Sequence, residues 1–162
     1  MRGRPVISDR AIAGRINPHI RSRYATLIVG GAREPLYQPA IGRSLAIIRY
    51  TRDYAQSVLH EVAHWCLADG ERRLLEDYGY WYLPPPRTPE QQAAFFAAEE
   101  RVQALESLLA AACGLRFHVS ADQPGTEVGA FAASVRRRAA RWRETGLTGR
   151  AAEIHGLLGR PW

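Results

Sequence analysis

The clearest rhythm in the chain runs through Val58, Leu59, Val62, Ala63 and Leu67, apolar positions that follow a 3.6-residue period. It predicts an amphipathic helix over 54–68, with Asp53 as N-cap and Asp69-Gly70 as the stop. A longer helix is announced by Thr88-Pro89-Glu90-Gln91, where Thr88 can cap, Pro89 suits the first helical position and Gln91 completes a capping box. Its apolar positions Phe95, Ala98, Val102, Leu105, Leu108 and Leu109 carry it to Cys113, and Gly114 ends it. Downstream, 126–145 and 151–158 read as shorter helices and 115–120 as a short strand. Upstream, the β-branched run at 24–29, stopped by Gly30-Gly31, and the run at 45–50 read as strands. The Pro- and Gly-containing connection between them, 34–43, reads as irregular or partly extended. The pattern predicts an α+β fold, a mainly helical single domain over 1–162 with a small N-terminal antiparallel sheet and a flexible stretch at 1–20.

Composition narrows the setting. A chain of 162 residues suits one core, and no run approaches the roughly 20 apolar residues that a bilayer-spanning helix needs. The first 17 residues carry arginines but no apolar run of the kind a secretory signal has, so a cytoplasmic location is expected. The two cysteines, Cys66 and Cys113, fall inside apolar helices and read as reduced, buried thiols. The formal charge is +6 and every basic chain is arginine, which favours an acidic partner, protein or nucleic acid. Arg136, Arg137, Arg138, Arg141 and Arg143 crowd the outer face of one helix and are the docking candidates.

The chemistry lies in His60-Glu61-Val62-Ala63-His64. Histidines four apart on a helix are separated by only about 40° around its axis, so both imidazoles can reach one ion. Glu61 flanks the same site, where it can act as a general base or hold a metal-bound water. The neighbours Leu59, Val62, Ala63, Trp65 and Leu67 make the helix a buried one, on which unpartnered histidines would be costly. A mononuclear site needs a third ligand, and the long helix offers Glu99, Glu100 and Glu106. Glu99, Gln103 and Glu106 share a face, and Gln103 or Glu106 can support a ligand imidazole or the metal-bound water. Between the helices Arg72, Arg73, Asp77, Tyr78, Tyr80, Trp81 and Tyr82 form a charged, aromatic segment suited to orienting a polar or cationic substrate.

These blocks resemble the bacterial elongation factor P hydroxylases. The likeness is carried by H-E-V-A-H-W-C at 60–66, D-Y-G-Y-W-Y at 77–82, the glutamate and Q-A-L at 99–105, C-G-L-R-F-H-V-S-A-D at 113–122 and E-P-L-Y-Q-P at 34–39. It implies a metallopeptidase (zincin)-like core put to oxidative use, with His60, His64 and Glu99 holding one divalent metal. The resemblance implies Fe(II) as that metal, with zinc able to take its place in purified protein. It further implies hydroxylation of the β-lysylated lysine of elongation factor P, an acidic protein, as the partner in place of nucleic acid or a membrane. Glu61 would tune the metal-bound water or oxygen, and Arg73, Asp77, Tyr78, Trp81 and Tyr82 would frame the lysyl chain. This sequence departs from the family at Pro84-Pro85-Pro86-Arg87, where a P-D-G-R turn is usual, and at Val102, where a proline is.

Two rival readings share the same residues. A zinc metallopeptidase would use the same three ligands, with Glu61 activating the water. A non-catalytic binding protein would use the metal to stabilise its fold, but such sites are usually closed by four protein ligands and only three can be named.

Overall fold

The computed structural model describes residues 7–81 and 83–162. Helix α1 (Asp9–Tyr24) leads into strands β1 (Thr26–Ala32), β2 (Leu36–Gln38) and β3 (Ala46–Thr51). Helix α2 (Ala55–Leu67), two short 3-10 turns (Arg72–Leu74 and Glu76–Gly79), and helices α3 (Pro89–Ala112), α4 (Gly129–Thr145) and α5 (Gly149–Leu158) follow.

From Asp9 onwards, the stretch expected to be flexible is helix α1. Ser8 caps it by accepting from the Ala11 amide, and Ile12, Ile16 and Ile20, four apart, bury one face completely. Asn17 fastens it to the sheet by accepting from the Ile28 amide and donating to the Ile28 carbonyl.

The sheet is mixed, not antiparallel. Its order is β1-β3-β2, with β1 parallel to β3 and β2 antiparallel to β3. The 33–45 connection reverses the chain through β2 and reverses it again, so β3 inserts beside β1 in the same direction. Alternate residues of β3, Ala46, Ile48 and Tyr50, face the core. The glycine pair does not stop β1. The strand runs on to Ala32 through a register shift after Val29, and Gly31 supplies the positive φ of 78°. Gly30 lets the buried Tyr50 hydroxyl pass at 2.6 Å from where a Cβ would sit.

Tyr54 occupies the N-cap of α2 without a side-chain bond, and Asp53 instead accepts from the Gly31 amide. The helix lies against β3 and α1 on one side and α3 on the other. At its far end the Arg150 guanidinium from α5 donates to the Trp65, Cys66 and Ala68 carbonyls, satisfying groups that a helix terminus leaves open. The capping box on α3 forms as expected, with Thr88 and Gln91 bonded reciprocally. Residues 115–120 form no strand, contrary to expectation. Gln103 on α3 holds Ser120 by both its amide and its carbonyl, replacing a ladder partner with one side chain. Helix α4 packs Phe131, Val135 and Ala139 on α3, leaving Arg136, Arg137, Arg141 and Arg143 outward, while Arg138 pairs with Glu100. Both cysteines are free and buried.

No helix among the described residues is long and apolar enough to cross a membrane. The close approach at Gly30 gives a stability prediction, because the Tyr50 ring is buried and its hydroxyl is held by Asp9 at 2.7 Å, so it cannot swing away. Gly30→Ala should destabilise the fold by about 1–3 kcal/mol through overpacking. Urea denaturation measures it, and an unchanged midpoint would show that the strand yields freely.

Candidate metal centre

The centre forms where α2 and α3 touch. His60 and His64 stand one turn apart on α2, and Glu99 points at them from the middle of α3 with only 1% of its surface exposed. The His60 and His64 Nε2 atoms lie 3.2 Å apart. The Glu99 carboxylate brings Oε2 to 3.6 Å from His60 Nε2 and Oε1 to 3.3 Å from His64 Nε2. Metal–ligand bonds of about 2.1 Å would separate cis donors by about 3.0 Å in an octahedron and about 3.4 Å in a tetrahedron. The imidazole pair stands at such an edge, each Glu99 oxygen lies near one of the rings, and one donor atom from each residue falls within 4.8 Å of the others, so the set can converge on one small divalent ion.

The surroundings are arranged to hold that set. His60 Nδ1 donates to Glu106 Oε2 at 2.8 Å, which commits the other ring nitrogen, Nε2, to the centre. Gln103 donates to Glu99 Oε2 at 3.1 Å while its remaining groups grip Ser120. Glu99, Gln103 and Glu106, a polar stripe on an apolar helix, are therefore all buried, and each has work inside. Among the described residues three His, Cys, Asp or Glu side chains converge here, fewer than the four that close a structural metal site.

Electrostatics agree with the geometry. Burial pushes the Glu99 carboxyl up, but the hydrogen bond and charge of His64, with His60 and Gln103, outweigh it and bring it down to about 2. Burial pushes the His60 imidazolium down, yet Glu106, Glu99 and Glu61 raise it to about 10. Glu61 sits beside the centre with its carboxyl raised by burial, partly offset by the two histidines.

The segment between the helices is divided by its backbone. Asp77, Tyr78 and Gly79 all adopt positive φ, of 47°, 59° and 70°, and the inverted turn drives Tyr78 inward. Its ring is 4% exposed, stacked at 4.2 Å on Tyr37 and lying parallel to His64 at 6.2 Å, a wall behind the ligand. Asp77 pins the turn by accepting from the Tyr37 amide, and the Arg73 carbonyl accepts from the Tyr37 hydroxyl. Trp81 is 90% exposed, and Tyr82 lies outside the described residues. Sequence reasoning gave no role to Arg87. Its buried guanidinium donates to the Leu83 and Ala121 carbonyls and to Asp122 and covers the Phe95 ring at 4.1 Å. It joins the loop, α3 and the 121–122 segment, and an arginine ending the Pro84-Pro86 run was the only available signal.

Fold and site together define a mainly helical protein with a two-histidine, one-carboxylate arrangement able to hold a metal and leave open positions. The chain belongs to the elongation factor P hydroxylase family, which matches residues 16–160. It is 40% identical over 147 residues to the elongation factor P lysine hydroxylase of Haemophilus influenzae, covering 88% of this chain and 82% of that protein.

Replacing a donor should remove the ion. His60→Ala and Glu99→Ala, analysed for iron and zinc after reconstitution, should each retain under a tenth of the parent's metal, and Glu106→Ala should weaken binding by about 10–100-fold. Full retention in both donor variants would displace the centre. The metal-free protein should also show a defined pH response. Glu99, lowered in the fold, contributes stability above its ordinary value near 4.5 that is lost as pH falls through about 2. His60, raised in the fold, contributes below its ordinary 6.5 and loses that contribution as pH climbs through about 10. Thermal unfolding of the metal-free protein should thus peak between these ordinary values, and a steady rise from pH 7 to 10 would contradict the His60–Glu106 pairing.

Proposed function

We propose that this protein is a non-haem iron hydroxylase that adds one oxygen atom to the β-lysylated lysine of elongation factor P, working in the cytoplasm on a zincin-like core. The observation that carries the reading is the convergence of His60, His64 and Glu99, whose donor atoms lie within 4.8 Å of one another, in a chain 40% identical to a protein named for that activity.

Iron(II) held by these three side chains would supply the activation of oxygen that hydroxylating an unactivated carbon requires. The chain's own residues do the rest. Glu106 fixes the His60 ring, and Gln103 and Tyr78 restrain Glu99 and His64, so the donors need not reorganise during turnover. Glu61, a carboxyl held in low dielectric beside the centre, holds and returns a proton at its Oε atoms. Asp77, Arg73 and Tyr78 build the wall from within, while Trp81 frames the lysyl chain. The net charge of +6 and the outward arginines of α4 favour an acidic protein partner.

Mass spectrometry of elongation factor P from the host, with and without this gene, tests the reading. The modified lysine should carry one more oxygen atom only when the gene is present, and Glu99→Ala should behave as the deletion. Identical masses in both strains would remove the assignment. Cleavage of the factor in place of oxygen addition would favour the peptidase reading.

A further inference from the structure

A cavity of about 320 Å³ opens where the end of α2, α3, the end of α4 and the start of α5 meet, and none of the three metal donors lines it. Its volume lies within the range of about 300–1,000 Å³ typical of small-molecule sites. The lining includes Cys66, Asp69, Arg101, Trp142, Thr148 and Arg150.

Two cations border this space, and neither has a counter-ion. The arginine ion pairs among the described residues are those of Arg23, Arg87 and Arg138, so Arg101, exposed on α3, and Arg150, half-buried on α5, stand outside them. Asp69, the one carboxylate in the lining, accepts from the Arg72 amide at 2.8 Å. Arg150 points its Nη2 at the Trp65, Cys66 and Ala68 carbonyls, while Nε is buried without a partner and Nη1 bonds to no described residue. Burial and the charge of Arg73 push this guanidinium below its ordinary value, as they must for a cation with no anion beside it. A half-buried charge that only carbonyls meet is under-compensated, and the cavity gives an anion access to it.

The start of α5 adds donors on the same wall. Thr148 occupies its N-cap without a side-chain bond, which leaves the Gly149, Arg150 and Ala151 amides without an acceptor from the cap. All four residues line the cavity, so these amides and both guanidiniums border one space. The number of donors selects the anion. One guanidinium fork satisfies the two oxygens of a carboxylate, whereas two guanidiniums and a row of helix-start amides match the three terminal oxygens of a phosphate. The cavity has room for an organic group on the fourth oxygen, and the half-buried Trp142 ring gives that group an apolar wall.

We propose that this cavity binds the phosphate group of a small phosphoester, held by Arg101, Arg150 and the first amides of α5, with Trp142 against the organic part. The site goes beyond the hydroxylase reading and does not depend on it. Its link to the metal centre is a single helix. Arg150 holds carbonyls of the residues that directly follow His64, so a phosphate that fixes this guanidinium also fixes the end of α2 that carries a metal donor.

Calorimetric titration of the full chain with phenyl phosphate, inorganic phosphate and benzoate tests the site. The parent should bind phenyl phosphate with a Kd of about 0.1–1 mM, inorganic phosphate more weakly, and benzoate at least about tenfold more weakly than the ester. Thr148→Asp puts a carboxylate at the N-cap, where it accepts from the free amides and repels phosphate. This variant should melt at or above the parent's temperature yet bind phenyl phosphate at least about tenfold more weakly. Arg101→Ala removes an exposed, unpaired side chain and should keep the parent's melting temperature while binding about three- to tenfold more weakly. No saturable binding by the parent, parent-like affinity in either variant, or benzoate binding as tightly as the ester would overturn the phosphate site. Equal affinity for inorganic phosphate would overturn the organic half of the assignment.

Discussion

A carboxylate buried among apolar helices is tolerable only if something positive or electrophilic meets it, and Glu99 is the group around which this molecule is arranged. It lies at 1% exposure in the middle of α3, facing two imidazoles on α2. The contact between these two helices therefore carries the candidate metal donors as well as the packing. Leu105 and Leu109 bury the same pair of helices against Val58, Leu59 and Val62 in the main core, so a shift of either helix would break both.

The remaining elements keep that contact in register. The sheet and α1 support one side of α2, and Arg150 holds its C-terminal carbonyls from α5. Gln103 and Arg87 bring the 120–122 segment against α3 without any strand pairing. The left-handed turn at Asp77 to Gly79 concentrates backbone cost at the one place where an aromatic ring must turn inward against His64. Such strain persists because the Tyr37 amide donates to Asp77 in the turn while the Tyr37 hydroxyl donates to the Arg73 carbonyl just before it.

Much of this could be read from residue order, and what could not has physical causes. The α2 and α3 helices, the Thr88–Gln91 capping box and the paired histidines follow from local spacing and local bonding. Helical period alone left the third donor open, because Glu99, Gln103 and Glu106 share one face and a polar stripe looks the same whether it meets water or a neighbouring helix. Helix α1 was obscured by arginines and Pro18, since only Ile12, Ile16 and Ile20 report its buried side. The mixed sheet depends on β3 inserting between β1 and β2, a matter of topology that strand patterns do not encode. Asp53 looked like a helix cap because aspartate suits one, yet the Gly31 amide across the sheet claims it. The sidedness of the aromatic loop was invisible because three consecutive positive φ values, not composition, decide that Tyr78 turns in while Trp81 stays out.

On the proposed reading, two imidazoles and one carboxylate hold a single ion and leave it open positions. X-ray absorption at the iron edge of the iron(II)-loaded protein tests this most directly. Two imidazole nitrogens should appear in the shell, with every other near neighbour an oxygen and no sulfur. A sulfur neighbour from Cys66 or Cys113, or a third imidazole, would contradict it.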